Sequence, residues 1–344
     1  MAKYVIEDTT LTNTANAIRE KTGGTEPITP SNFATEIEGI QSGGGDTTQE
    51  DGLIDRTITE YSNDRVTKVG ISGFNNMLEM VSVDLPNVTE VEEEGFYFCE
   101  KLKNVNIPKL KTIGRAGFSG CEAITTLTFP NLETIGSYTF QSCESLEKIE
   151  APNLNSMNSN CFEGCSLLRE LIVGDITEIY SYCFRECSSL IELDFPKVTS
   201  LGEQSFRQCT GLTSINLPEL TSLDSSCFDT CSALKTINIP KITTINGYSN
   251  FSGCSSLEEI DLNFLTSSIK NAMFSSCSSL IKVILRSETM CALSNKNAFN
   301  STPIASGTGF VYVPDDLVET YKSATNWSIY ANQIKPISEL EASA

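Results

Sequence analysis

Apolar residues in this chain recur at fixed distances from a phenylalanine that returns every 22 or 23 residues. In the unit of Phe118, apolar side chains follow six, nine and eleven residues later, at Ile124, Leu127 and Phe129. The marker phenylalanines are Phe74, Phe96, Phe118, Phe140, Phe162, Phe184, Phe206, Phe228, Phe251 and Phe274. One unit is too short to bury its own apolar face, so a repeat of this length predicts a solenoid whose neighbouring units stack.

The segment eight to eleven residues after each phenylalanine alternates polar and apolar positions, which is the pattern of a half-buried strand. Its apolar side chains should point into the coil and its polar side chains should face solvent. A proline usually follows, as at Pro108, Pro130 and Pro240. Because proline has no N–H to donate, it is expected to end the strand at the same place in each coil.

The thirteen cysteines mostly follow the same phase. Nine stand three residues after a marker phenylalanine, which predicts a column of small, buried, free thiols. Cys161, Cys183 and Cys227 form C-x-x-x-C pairs with the column cysteines that follow them. One interpretation is that each pair forms a disulfide bond or binds a metal ion. The alternative is that cysteine stands there only because a small residue suits the position before the phenylalanine. The redox state of Cys161, Cys183, Cys227 and Cys291 stays open.

The combined pattern F-x-x-C-x-x-L-x-x-I-x-L-P-x-L-x-x-I-G resembles the BspA-type (Treponema-type) leucine-rich repeat family of bacteria. The resemblance covers about Leu53 to Phe299. It implies a leucine-rich-repeat solenoid, a right-handed β-rich superhelix with coils of 22 or 23 residues. It also implies a surface or secreted protein for adhesion or recognition, without enzymatic activity and without a cofactor.

The repeat is irregular in a few places. Gly174, Asn263 and Arg286 stand where proline is expected, and single-residue insertions lie near Ile245–Phe251 and Leu265–Ile269. Loops or slight kinks are expected there, with the stack continuing.

The repeat divides the chain into four segments. Residues 1–40 are predicted to be a small helical N-terminal segment, and residues 41–52 a flexible Gly-rich linker. Residues 53–299 hold about ten repeats after an N-terminal half-turn. Residues 300–344 are predicted to form a strand–helix C-terminal cap, which Trp327, Ile329, Ile334 and Ile337 complete. Trp327 is interpreted as a plug for the cap, with a ligand platform as the alternative.

The first forty residues carry a second resemblance. The pattern L-T-x-x-A-x-A-I-R-E-K-T-G, followed by I-T-P, is similar to N-terminal segments of phage-tail and prophage proteins of Gram-positive gut bacteria. Two such short helices cannot form a core alone. They are interpreted as a docking or oligomerisation element, or as an unstable appendage.

Composition narrows the choice of function. The net charge of −20 argues against nucleic acid and anionic membrane as partners. The absence of histidine excludes Ser-His-Asp and Cys-His catalysis. No signal peptide is visible, and no apolar run is long enough for membrane insertion. The chain is therefore predicted not to be an enzyme.

The outward strand positions are the best candidates for a binding face, and they lack the aromatic and arginine anchors common in interfaces. A solvated strand surface without a ligand is the open alternative. Glu170, Glu192 and Asp194 could approach one cation, but their spacing fits no calcium loop, so no metal site is predicted. The candidate interaction residues are Asn106, Thr128, Glu150, Glu170, Ile172, Glu192, Asp194, Asn216, Asn238 and Asp261.

Two functions follow from these observations. The first is non-enzymatic recognition or adhesion at a cell surface or after secretion, through a protein or glycan ligand. The alternative is a phage or prophage tail-associated protein for host recognition, anchored by its first forty residues.

Overall fold

The chain forms a parallel β-solenoid of about twelve coils. The computed structural model describes residues 57–263, 265 and 268–342. The solenoid predicted from the phenylalanine repeat is thereby confirmed. The helices predicted for residues 1–40 and the linker of residues 41–52 lie outside the described residues, and the division into four segments stays a prediction.

Each coil contributes one strand of three or four residues to a sheet whose solvent-facing surface we call the strand face. The strands of this sheet are β1 (Glu60–Ser62), β3 (Ser82–Asp84), β5 (Asn104–Asn106), β7 (Thr126–Thr128), β9 (Lys148–Ala151), β10 (Glu170–Val173), β12 (Glu192–Asp194), β14 (Ser214–Asn216), β16 (Thr236–Asn238), β18 (Glu259–Asp261), β19 (Lys282–Ile284), β20 (Phe310–Val313) and β21 (Ile334–Pro336). From β3 to β19 they lie where the alternating pattern predicts strands.

A second ladder of two-residue strands runs along another side of the solenoid. Its strands are β2 (Lys68–Val69), β4 (Glu90–Val91), β6 (Thr112–Ile113), β8 (Thr134–Ile135), β11 (Glu178–Ile179), β13 (Ser200–Leu201), β15 (Ser222–Leu223) and β17 (Thr244–Ile245). The alternation did not predict these strands, because two residues offer a single buried position and no visible period.

All strand pairs are parallel, and most pair residues 22 positions apart, as Ser214 pairs with Thr236. The strand-face sheet is divided into four hydrogen-bonded blocks. These contain β1, β3 and β5; β7, β9 and β10; β12, β14 and β16; and β18, β19, β20 and β21. Among the described residues the second ladder has two hydrogen-bonded blocks, one from β2 to β8 and one from β11 to β17. Strand β17 lies beside the insertion near Ile245–Phe251, and a bridge between Ile269 and Leu293 follows further along the chain. The marker rings continue through this region, so the expected local irregularity without a break in the stack is confirmed.

The marker phenylalanines form one continuous buried column. From Phe74 to Phe299, successive ring centroids are 4.8 to 5.9 Å apart, and the rings are stacked. Tyr61 closes one end of the column edge-on, and Trp327 and Tyr330 close the other. The rings are fully excluded from water, so this column carries much of the burial that holds neighbouring coils together.

Replacing Phe184 with alanine is expected to lower the free energy of unfolding by about 3–5 kcal/mol, because the cavity cannot collapse between two stacked rings. Urea denaturation would measure this loss. In the same coil, the exposed Tyr180 is the matched control, and its replacement with alanine should change stability by about 0.5 kcal/mol or less. Equal effects of the two substitutions would contradict a continuous column.

The nine column cysteines form a second buried column beside the phenylalanines. Each Sγ donates a hydrogen bond to the carbonyl oxygen of the marker phenylalanine in the preceding coil, at 2.9 to 3.2 Å. In the C-x-x-x-C pair, Cys161 and Cys165 donate to different carbonyls, those of Gly136 and Phe140. All thirteen cysteines are buried and free, so the predicted buried packing is confirmed.

Burial raises the pKa of eleven of these thiols, because a thiolate would lose its hydration inside the coil. The pKa reaches about 12 for Cys143, Cys227 and Cys277, and about 11 for Cys291. The thiols are therefore protonated and unreactive at neutral pH.

A third set of contacts, which we call the turn ladder, joins the turns around the phenylalanines. In the coil of Phe96, the N–H groups of Glu94, Phe96 and Phe98 each donate to a carbonyl of the next coil at 2.8 Å. Glu94 and Phe98 have positive φ angles of 57° and 53°, which turns their N–H groups to the same side as that of Phe96. The same donors recur in most other coils, always towards the C-terminal neighbour.

The C-terminal cap consists of short helices around β20 and β21. These are the 3-10 helix Lys296–Phe299, α1 (Pro303–Ser306), the 3-10 helix Asp315–Leu317, α2 (Val318–Ser323), the 3-10 helix Trp327–Gln333 and α3 (Ile337–Glu341). The strand–helix cap predicted from the sequence is confirmed.

Trp327 lies fully buried in this cap, and its Nε1 donates to the carbonyl of Cys291 at 2.8 Å. Ile329, one of the residues predicted to complete the cap, is 58% exposed. Its helix is a 3-10 helix, in which residues three apart share a face. Trp327 and Tyr330 occupy the inner face, and Ile329 falls outside it.

Candidate interaction surface on the strand face

The ten candidate residues all lie at solvent-facing positions of strand-face strands. Asn106, Thr128, Glu170, Ile172, Glu192, Asp194 and Asn238 are exposed, and Glu150, Asn216 and Asp261 are half-buried. The apolar residues between them, such as Leu127 and Ile215, point into the core. The structure thus places the ten residues on one sheet, and binding by them stays a prediction.

Amide side chains link several of these residues across neighbouring coils. Asn238 Nδ2 donates to Asn216 Oδ1 at 2.6 Å, and Asn216 Nδ2 donates to Asp194 Oδ1 at 2.8 Å. Asn106 Nδ2 donates in the same way to Asp84 Oδ1 at 2.7 Å. These bonds fix the amide and carboxylate groups in one orientation before any ligand arrives.

Most carboxylates in the C-terminal two thirds of the face are paired with a cation. Lys148 Nζ lies 3.5 Å from Glu150 and 3.4 Å from Glu170. The hydrogen bond and charge of Glu170 raise the pKa of Lys148. Asp261 contacts Arg286 at 3.0 Å. Each of these acids has a cation beside it, and Lys148 is shared between Glu150 and Glu170.

Lys282 pairs with Glu259 at 2.6 Å in the same way. Among the described residues, Glu192 and Asp194 have no lysine or arginine nitrogen within 4.0 Å. They form an uncompensated acidic pair near the middle of the face.

The acidic pair lies at a discontinuity of the sheet. Strands β10 and β12 belong to different hydrogen-bonded blocks, and Gly174 replaces the usual proline directly after β10. The turn there is altered, since Ile176 N–H donates to Gly174 rather than to the residue three positions earlier. A depression of about 600 Å³ occupies this gap, lined by Ile172 and Asp194 among others.

Two more depressions adjoin this gap. One, of about 540 Å³, runs over β12, β14 and β16 and is lined by Glu192, Asp194, Asn216 and Asn238. The other, of about 480 Å³, lies on the bend that leads into the strands, and Leu167 and Ile191 line it. We call the three together the central groove, which brings five candidate residues together: Ile172, Glu192, Asp194, Asn216 and Asn238.

Sequence reasoning missed the apolar rim of this groove. Ile191 and Leu167 are 56% and 47% exposed. They precede the strands, at positions that hold polar or small residues in most other coils, and this contrast was the available signal. The aromatic Phe310 and Tyr312 of β20 were also missed as strand-face residues; both are half-buried on the outer side of the sheet, in register with Lys282 and Ile284.

Within residues 57–263, 265 and 268–342, no group of three or more Cys, Asp or Glu side chains is placed to hold a metal ion. The described helices include none with the length and apolarity needed to cross a membrane. The chemistry that the groove offers is therefore ionic, amide and apolar contact.

A family model described as a BspA type leucine rich repeat region, in six copies, matches residues 67–191 and 177–305. No curated protein matches the chain. Among solved structures, the chain is similar to a leucine-rich repeat protein from Bacteroides ovatus, with 21% identity over 79% of this chain and 87% of that chain and a TM-score of 0.48.

It is also similar to a leucine rich cell surface protein from Faecalibacterium prausnitzii, with 21% identity, 80% and 91% coverage and a TM-score of 0.44. A leucine-rich repeat protein from Eubacterium ventriosum gives 16% identity, 81% and 87% coverage and a TM-score of 0.37. At these identities, the structures are similar to the chain in fold alone.

Proposed function

The chain belongs to the BspA-type leucine-rich repeat family, and from this premise we propose that it is a non-enzymatic recognition protein that binds a macromolecular ligand through the central groove. Leucine-rich repeat families commonly mediate protein binding or adhesion. Family membership also supports work at a bacterial cell surface or after secretion.

One observation carries the proposal: the groove joins exposed apolar side chains to an uncompensated acidic pair on a rigid sheet. Interfaces gain affinity from apolar anchors surrounded by polar groups. Asp194 is held by Asn216 at 2.8 Å, so little side-chain entropy remains to be lost when a ligand binds there. The solvated strand face, which was the open alternative, does not account for the exposure of two isoleucines, Ile172 and Ile191, in neighbouring coils.

We favour a protein ligand over a glycan. Glycan sites commonly use exposed aromatic rings, whereas the exposed apolar side chains that line the described part of the groove, Leu167, Ile172 and Ile191, are aliphatic. The tail-associated alternative depends on residues 1–40, which lie outside the described residues, and it stays a prediction.

The double substitution Glu192→Lys with Asp194→Lys is expected to abolish ligand binding while leaving the free energy of unfolding within about 0.5 kcal/mol, since both side chains are exposed. The full chain would be screened on a printed protein microarray and a printed glycan array, and binders would be titrated against both versions. Urea denaturation would check the stability of the variant.

The matched control is Glu60→Lys with Asp84→Lys, two strand-face carboxylates near the N-terminal end of the solenoid. Its binding should equal that of the unaltered chain. Saturable binding to a microarray protein that survives the Glu192 and Asp194 substitutions would overturn the assignment of the groove, and binding to glycans alone would overturn the choice of ligand.

A further inference from the structure

The central groove has a charge pattern that restricts what can dock in it. The six strand-face carboxylates from β9 to β19 are Glu150, Glu170, Glu192, Asp194, Glu259 and Asp261. Four of them have a cation within 3.5 Å, at Lys148, Lys282 or Arg286. Glu192 and Asp194 have none among the described residues, so the groove presents two negative charges that a partner must neutralise when it displaces water.

The lysine and arginine side chains beside the groove could neutralise Glu192 and Asp194 only by breaking the ion pairs that they already form. Arg169 is held by Glu147, and Lys197 lies 2.6 Å from Asp175. Both line the gap between β10 and β12. The neutralising charge therefore has to come from the ligand.

The amide ladder determines where that charge would sit. Asn216 Nδ2 donates a hydrogen bond to Oδ1 of Asp194, and Asn238 Nδ2 donates one to the side-chain Oδ1 of Asn216. Oδ2 of Asp194 accepts no hydrogen bond from the described residues and stays available beside Glu192. A guanidinium group offers several donors in one plane and suits two neighbouring carboxylates better than a single ammonium group does.

The apolar contacts lie next to these acceptors. Ile191 directly precedes Glu192, and Ile172 stands in β10 at the position that corresponds to Asp194 in β12. Ile172 and Asp194 both line the depression between β10 and β12, so one apolar side chain of a ligand could contact Ile172 while a neighbouring basic side chain reaches Asp194. Ile172 and Ile191 are 43% and 56% exposed, and both would lose this exposure on docking.

We infer that the central groove binds a protein segment in which an arginine or lysine lies within a few residues of a large aliphatic or aromatic side chain. This inference rests on the proposed function and specifies the partner. It excludes acidic segments, which would add to the charge of Glu192 and Asp194.

The test uses a random library of twelve-residue peptides displayed on yeast and selected on the full chain. Enriched peptides should carry arginine or lysine within three residues of Leu, Ile, Phe or Trp. Their affinity should fall at least tenfold when Glu192→Gln and Asp194→Asn remove the charges with little change of shape, and it should fall as salt rises. Glu60→Gln with Asp84→Asn is the matched control and should leave affinity unchanged.

Three results would overturn the inference: enrichment of acidic or uncharged peptides, equal affinity for the neutralised groove, or no peptide that prefers the unaltered chain over the neutralised one. A microarray partner that is lost with lysine at positions 192 and 194 but is insensitive to the Gln/Asn pair and to salt would leave the proposed function intact and refute the cationic partner. A partner indifferent to both double variants would refute both.

Discussion

Raising the pH from about 7.5 to 9.5 is expected to destabilise this protein strongly, because its buried cysteines can lose their protons only in the unfolded chain. An unfolded cysteine has a pKa of about 8.5. Burial raises the pKa of eleven cysteines well above that value, for example to about 12 for Cys143. Between these two values the unfolded state binds fewer protons than the folded state, so the free energy of unfolding falls as the pH rises.

The size of the effect follows from the number of thiols. At pH 9.5, each buried cysteine should favour the unfolded state by about 1.4 kcal/mol. Eleven of them together give about 15 kcal/mol, which equals the whole stability of many domains. The stabilisation is complete below the unfolded pKa and is lost progressively above it.

Urea denaturation followed by circular dichroism at several pH values, with a reductant present, would measure this dependence. A variant with Cys209, Cys231 and Cys254 replaced by alanine is the control. It will be less stable at neutral pH, but its stability should decline less steeply between pH 8.5 and 9.5, by the share of three thiols. Stability that is independent of pH in this range, or equal slopes in the two proteins, would show that the thiols are not buried as a column.

Removal of one complete coil, residues 197–218, is expected to leave a cooperatively folded protein. The cut joins Pro196 to Glu219, which follow one another in phase, and β12 would then pair with β16 as β14 does now. The slope of the free energy of unfolding against urea concentration scales with the surface exposed on unfolding. Because about one coil in twelve is removed, this slope should fall by roughly a tenth. The marker phenylalanines and column cysteines on either side of the cut would keep neighbours of the same kind.

The control removes half as many residues, 197–207, and is expected to be far more damaging. It deletes Phe206 and β13 but keeps the following strand, so the phenylalanine column and the second ladder are both interrupted. We expect a melting temperature lowered by about 10 °C or more, or loss of a cooperative transition. If the shorter deletion were the milder one, the stability of this chain would not depend on the phase of its repeat.

The fold could be predicted from the sequence because each buried column leaves one residue type at one spacing. Phe118, Phe140 and Phe162 are 22 residues apart and stack with centroids 5.9 and 5.3 Å apart. The two-residue strands could not be predicted, since a pair such as Thr112–Ile113 has no internal period. Ile329 was misplaced because an apolar residue in a short helix can face either way until the helix type is known.

The positions of the candidate residues could be predicted from the sequence, but which of their charges are left without a cation could not. Alternation placed Glu192 and Asp194 outside the core, and the structure agrees. It could not show that Lys148 neutralises Glu170 while no described cation reaches Glu192, because such pairing depends on which side chains meet across coils. Ile191 was missed for a different reason: it lies in the bend before β12, outside the segment whose alternation was used.

The turn ladder makes the two ends of the solenoid chemically different. Among the described residues its N–H groups point towards the C-terminal coil, so a stack of such coils presents carbonyl oxygens at its N-terminal end and N–H groups at its C-terminal end. Two such stacks could continue one another only when joined in the same direction, whereas a reversed junction would set like groups against each other. Duplication of whole units in tandem always preserves this direction, which offers a simple physical route by which such a rod lengthens without redesign of any junction.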